Sequence, residues 1–397
     1  MLLGEALRIS ASPWMVTLFH AVLGVITVAL ATDLGCRLYS ARIGLVLGVI
    51  IALYPPLVFF ENYLMTETLA TTLLVAWAWG LWMHTSKPKW IMLMWLALLG
   101  SAIVLTRPSL AGFVIAPPIM LALGVKRKAL KSLLTRAVMY VALVLFVLSP
   151  WLLYVYRATG RVTISPVTGT QWWIYQHMDD VFNPDFPAFD LYRERYAQYK
   201  TQDASQMSGW RIRADILSDR TYTIAEADQI FMNYAIESIK VNPFNYGVAA
   251  IRGVGYFFGI SDRRHDEAAN FLSQSLSTRD GRTAVNQWAV EAVGASLPDD
   301  PRWNQSWPPL NGAMAFLSRT VRDRGIILTP LFFFGVWFLR ADSQKRGWTY
   351  TLLMAILLTA ISHAIFLANL DRYHWVVEPL MWIGAGAVLA RATRSAS

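Results

Sequence analysis

The sequence predicts an all-α polytopic membrane bundle of about nine transmembrane helices, carrying one mostly helical extracytoplasmic domain. Three observations lead there. Of the 397 residues, 55% are hydrophobic and only 15% charged, too little charge to cover a soluble protein of that length. Mean hydropathy is positive, and the 17 tryptophans suit the membrane–water interface, where an indole can keep its N–H wet. Apolar runs long enough to cross roughly 30 Å of hydrocarbon recur along the chain.

In order, those runs fall at about 13–32, 42–60, 66–83, 90–106, 109–124, 136–156, 325–340, 348–368 and 375–390. They divide the chain into an N-terminal membrane part of six spans (1–156), a far more polar segment (157–324) and a C-terminal part of three spans (325–397). Within the polar segment, Thr223-Ile224-Ala225-Glu226 is a capping box. Ile224, Ala227, Phe231, Tyr234, Ser238 and Ile239 follow at helical spacing until Asn242-Pro243 stops the run. The next stretch, from Phe244, is amphipathic and aromatic and suits a membrane surface. The residues from Ser261 to Pro309 read as mixed helix and loop.

Charge sets the orientation. Arg37, Arg42, Lys87, Lys89, Lys126, Arg127, Lys128, Lys131, Arg136, Arg340, Lys345, Arg346, Arg391 and Arg394 all fall on one face of the predicted topology. The short opposite loops hold only Arg107 and Arg372. The positive-inside rule puts the basic face and the C-terminus in the cytoplasm. The net charge of +9 then reports topology and anionic headgroups and gives no ground for a nucleic-acid partner. The N-terminus falls outside with no preceding span or signal sequence, which predicts that the chain begins after a lost first helix. The single cysteine, Cys36, excludes an intramolecular disulfide and a thiolate metal cluster.

The candidate site residues sit at the outer face. Glu61 and Glu67 bracket the turn between the second and third runs, either as solvated groups at a helix end or as the lining of a site. Arg107, in Leu105-Thr106-Arg107-Pro108, can fork onto a phosphate at headgroup depth or snorkel to lipid. Arg372 and Tyr373, beside Asp371 and Glu378, could hold the same phosphate. Trp172 and Trp173, in what reads as a polar loop, could stack on a sugar or cover a site, or act as interfacial anchors. No zinc spacing, P-loop, nucleophile elbow or dinucleotide fingerprint is present in the sequence. Glu61 or Glu67 could share a divalent ion through oxygen ligands, and no cofactor is otherwise indicated.

Five stretches, taken together and in order, carry a resemblance: FFENYLMTETLATTLL, LTRPSL, SPWLLYVYRATGRVTIS, AEADQIFMNYAIESIKVNPFNY and DRYHWVVEPLMW. The chain resembles bacterial polytopic glycosyltransferases of the C superfamily. It is most similar to the family related to dolichyl-phosphate-mannose protein mannosyltransferases and aminoarabinose transferases. The likeness spans nearly the whole chain.

The resemblance implies a multi-span inner-membrane enzyme with its site on the extracytoplasmic face. It implies a polyprenyl-phosphate-linked sugar donor and a lipid, glycan or protein acceptor. Glu67 then matches the acidic position after the outer turn, with Glu61 beside it, and Arg107 and Arg372-Tyr373 match the donor-phosphate side. Two departures stand out. The family opens with a further span and a first outer loop bearing a catalytic aspartate, and MLLGEALRISASPW looks like the tail of that loop, with Glu5 no convincing substitute. Relatives also place Arg-Asn soon after Pro-Trp, where this chain has Leu-Leu-Tyr-Val-Tyr-Arg. A lipid-linked saccharide transporter or flippase, and a non-catalytic membrane subunit of envelope glycan assembly, are the alternative readings. The first predicts polar or broken helices at the midplane; the second follows from the missing aspartate.

Overall fold

The computed structural model describes residues 14–54, 57, 66–123, 130–178, 194, 222–259, 324–366 and 375–395. Among these, every regular element is helical. The helices are α1 (Trp14–Leu38), α2 (Ala41–Ala52), α3 (Glu67–Ser86), α4 (Trp90–Thr106), α5 (Gly112–Leu123) and α6 (Leu130–Thr159). They continue with α7 (Thr168–Met178), α8 (Ile224–Val241), α9 (Pro243–Phe257), α10 (Arg324–Leu339), α11 (Ser343–Ile365) and α12 (Glu378–Ser395).

Among the described residues, three stretches are long and apolar enough to cross a membrane: Thr17–Leu38, Leu133–Thr159 and Ser343–Ile365. Shorter apolar helices cover Ala41–Ala52, Trp90–Thr106, Pro108–Met120 and Ile327–Leu339. At 1.5 Å per residue a helix as short as α2 spans only about 18 Å, less than the hydrocarbon core.

Several boundaries differ from the sequence reading. Among them, α2 ends at Ala52 inside the expected 42–60 run, and α11 starts at Ser343 ahead of 348. Two of the others have a clear reason. The first apolar run was expected to stop at about residue 32, before Asp33, yet α1 continues to Leu38. The Asp33 carboxylate accepts from Arg37 Nε at 2.6 Å and from Trp79 Nε1 at 2.7 Å, so its charge is matched without ending the helix. α6 starts at Leu130, before the expected residue 136, and the Arg136 guanidinium lies over the Trp90 ring at 5.6 Å. α8 and α9 form in the polar segment, where Thr223 Oγ1 accepts from the Glu226 N–H and the Glu226 carboxylate accepts from the Thr223 N–H at 2.7 Å. That reciprocal cap satisfies two of the free donors at a helix start.

α11 is the most enclosed of the three long apolar helices, with 56% of its apolar stretch buried, against 22% for α6. α11 packs on α3, α5 and α9, whereas α6 packs on α4 and α5 and turns Val138, Leu145 and Phe146 outward. Such outward apolar rows fit lipid contact. The core centres on α3. Trp77 meets Phe113 edge-on at 5.2 Å, and Trp348 Nε1 donates to the Ala78 carbonyl at 2.9 Å. Thr27 and Thr72 share a 2.8 Å hydrogen bond between α1 and α3, the kind of polar contact that joins apolar helices where water is scarce.

One end of the bundle collects cations. Arg136 lies beside the start of α4, Arg391 of α12 stacks on Phe338 near the end of α10 at 4.7 Å, and Arg346 Nε donates to the Arg340 carbonyl. Gly347 at the start of α11 lies against Thr85 near the end of α3. The opposite end therefore carries the start of α3, the end of α4, the start of α5, the end of α11 and the start of α12.

Candidate functional site

At that opposite end Glu67 is the first residue of α3, behind Thr66, and Arg107 is the residue that closes α4. Glu67 gains from its place, because the exposed N–H groups of a helix start carry partial positive charge. Arg107 takes an extended backbone (φ −147°, ψ 100°), and Pro108 opens a single 3-10 turn over Pro108–Leu110. A proline fits there because its missing N–H would have no intrahelical partner. The turn folds α5 back on α4 and leaves the Arg107 side chain pointing into the bundle. Arg107 Nη1 lies 3.0 Å from Glu67 Oε1, with the two side chains only 7% and 5% exposed. Neither is a solvated group at a helix end, nor a side chain snorkelling to lipid.

A close helix contact holds the Arg107 turn in place. A Cβ at Gly112, the first residue of α5, would lie 2.5 Å from the Ala355 carbonyl oxygen and 2.6 Å from Thr359 Oγ1. Only glycine allows α5 to approach α11 that closely. Thr359 in turn accepts at its carbonyl from His363 Nδ1 at 2.8 Å, and the ring of Phe257, at the end of α9, lies 5.4 Å from that of His363. Arg107 is near enough to act electrostatically on the His363 ring. The buried acid and guanidinium thus form one pair, and the buried His363 lies on α11, the helix that α5 approaches at Gly112. Glu378, first residue of α12, is also buried, and α12 packs against α3.

The structure brings Glu67 and Arg107 together. Glu61, Arg372 and Tyr373 lie outside the described residues, as do Asp371 and Glu5. The tryptophan pair departs from expectation: Trp172 and Trp173 belong to helix α7, not to a loop. Trp173 is fully buried with its ring 4.8 Å from that of Phe231, so it is a core contact between α7 and α8 and offers no face to a sugar. Trp172 is half-buried and meets Phe366, just past α11, edge-on at 5.2 Å. It joins α7 to the helix that bears His363. Among the described residues no group of three or more His, Cys, Asp and Glu side chains could hold a metal ion.

His363 lies inside the 348–368 run, where the sequence assigns it no role. No sequence signal marks it, because the Thr359 acceptor is a backbone carbonyl that any residue at that position would supply. Nothing in the linear pattern joins either residue to Arg107, because that link runs through the α5–α11 contact. Comparison of the chain with protein-family models, with curated proteins and with solved structures gives no match.

Proposed function

We propose that this protein is a multi-pass inner-membrane glycosyltransferase that moves a sugar from a polyprenyl-phosphate donor to an extracytoplasmic lipid, glycan or protein acceptor. In this reading nine spans cross the bilayer with the basic end and the C-terminus in the cytoplasm. One observation carries the proposal: the buried Glu67–Arg107 pair at the end of the bundle opposite the cations. A charged pair kept from water at that depth is expensive to maintain unless it serves a site, and it joins the two residue types that this chemistry requires.

The acceptor oxygen attacks C1 of the sugar as the C1–O bond to the phosphate breaks. The electron pair leaves with the prenyl phosphate, and the acceptor's proton passes to a carboxylate, with Glu67 and Glu61 the candidates. Arg107, held in direction by Glu67 before the donor arrives, meets the charge that develops on the leaving phosphate, and Arg372 and Tyr373 complete that side. Trp172, half-buried against Phe366 just past α11, is the aromatic face offered to a sugar ring in this reading. No nucleotide is needed, because the activated bond arrives with the lipid.

The test uses the full chain in nanodiscs, with undecaprenyl phosphate and its glycosylated forms as probes. Arg107→Ala is expected to weaken prenyl-phosphate binding at least tenfold, and Glu67→Gln to abolish transfer while retaining donor binding. Unchanged binding in Arg107→Ala would remove the residue from the site. The pair's mutual satisfaction favours a second reading, a non-catalytic membrane subunit, which predicts no transfer by the wild type and a loss of stability alone in both variants.

A further inference from the structure

Beyond the Glu67–Arg107 corner, α6 ends in a turn that builds a second feature. Gly160 takes a left-handed conformation (φ +69°), its N–H bonds to the Tyr156 carbonyl at 2.7 Å, and the 161–167 segment then turns back along α6, where the Ile164 carbonyl accepts from Trp151 Nε1 at 2.9 Å. Between this segment, α7 and α8 is a cavity of about 420 Å³, within the roughly 300–1,000 Å³ usual for small-molecule sites.

The lining has an uneven hydrogen-bonding character. Thr159 Oγ1 donates to the Val155 carbonyl at 2.7 Å, and Thr163 and Thr168 both donate to the Ser165 carbonyl, at 3.0 and 3.1 Å. Gln229 Nε2 donates to Asn233 Oδ1 at 2.6 Å. The three hydroxyls have thus spent their only donor and keep acceptor lone pairs, although Thr159 Oγ1 also accepts from the Arg161 N–H at 3.3 Å. The Gln229 amide keeps its oxygen and one N–H. Asp228 adds its carboxylate but uses Oδ1 to accept from Thr170 N–H at 2.9 Å and Thr170 Oγ1 at 3.2 Å, which commits it to the start of α7. Met232 supplies an apolar wall. Arg161 also lines the cavity and has no carboxylate partner among the described residues.

We propose that this cavity binds a saccharide bearing an acidic group. Its array of acceptors calls for a ligand rich in O–H donors, the Met232 wall fits the C–H face of a sugar ring, and the Arg161 fork matches a carboxylate or phosphate substituent. A hydrocarbon chain would leave the acceptors without partners. The site stands on its own lining and is independent of the transferase reading. It adds to that reading a place for an acidic glycan at the start of α7, one turn before Trp172.

The experiment measures saturation-transfer NMR and titration of the full chain in nanodiscs. The probes are a disaccharide containing a uronic acid, its neutral hexose counterpart, and inorganic phosphate. The uronic disaccharide is expected to bind at least tenfold more tightly than the neutral one and than phosphate. Arg161→Gln should lower its affinity about tenfold, and Gln229→Ala about threefold. Met232→Trp, which fills the cavity, should abolish binding; if that variant does not fold, the first two decide the result. Equal binding by wild type and Arg161→Gln, phosphate binding as tightly as the disaccharide, or no binding by either sugar would each overturn the proposal. Prenyl-phosphate binding by Arg107→Ala tests the transferase reading and disaccharide binding by Arg161→Gln tests this one, so the two failures give different results.

Discussion

The Glu67–Arg107 contact gives the most discriminating prediction. At 3.0 Å, unit charges attract with about 5 kcal/mol at an effective dielectric constant near 20, a gross figure that desolvation of both groups largely offsets. Removing one partner leaves the other charge buried at 7% or less exposure, and such losses reach about 3–5 kcal/mol. Arg107→Met and Glu67→Met should each destabilise the protein by about that amount. The double substitution, which removes both charges and keeps apolar volume, should cost much less than the two single losses combined, and coupling of at least about 2 kcal/mol is expected. The assay is reversible denaturant unfolding in mixed micelles, followed by tryptophan fluorescence. The reasoning is refuted if either single variant loses less than about 1 kcal/mol, or if the double variant's loss equals the total of the two.

Gly112→Ala should cost about 1–3 kcal/mol by overpacking, since its Cβ would meet backbone and side chain of α11 at 2.5–2.8 Å. Gly347→Ala, whose nearest neighbour would be Thr85 at 3.7 Å, should melt within a degree or two of wild type, and thermal unfolding compares the two. Trp348→Phe removes the indole bond to the Ala78 carbonyl between α11 and α3 and should cost about 1 kcal/mol in the same unfolding assay. The Glu226 carboxyl is held below its ordinary value by hydrogen bonds from the Thr223 backbone and hydroxyl. A lowered folded value means that the contribution is present above the ordinary value of 4.5 and is lost as pH falls through the folded one. Hydrogen exchange at the first turn of α8 should therefore accelerate, beyond the intrinsic rate change, as pH drops below about 4.5, and Glu226→Gln should flatten that dependence.

Much of the architecture is legible along the chain, because helices in apolar surroundings satisfy their own backbone groups and declare themselves by runs of apolar residues. The runs at 66–83 and 90–106 correspond to α3 and α4 within a few residues, and the α8 cap was readable from four letters, since Thr223 and Glu226 need only each other's backbone. Local chemistry of that kind is a property of sequence. The extension of α1 through Asp33 is not: it depends on Trp79, 46 residues away, which supplies an indole N–H to a carboxylate that would otherwise end an apolar helix.

The candidate site divides along the same line. Position alone marks Glu67 and Arg107, along with Glu61 and Arg372, as charges at the ends of apolar runs, and leaves open whether they are solvated or line a site. That Glu67 and Arg107 touch, and that His363 lies near enough for Arg107 to act on it, was decided by tertiary structure, through the α5–α11 approach that only a glycine at 112 permits. The burial of Trp173, which removes it from any role facing a sugar, rests on Phe231 of a helix whose packing partner no local pattern specifies. Helix type and the location of charge follow from periodicity and solvation; which charges meet follows from side-chain volume at helix crossings, a quantity that exists only once the helices have packed.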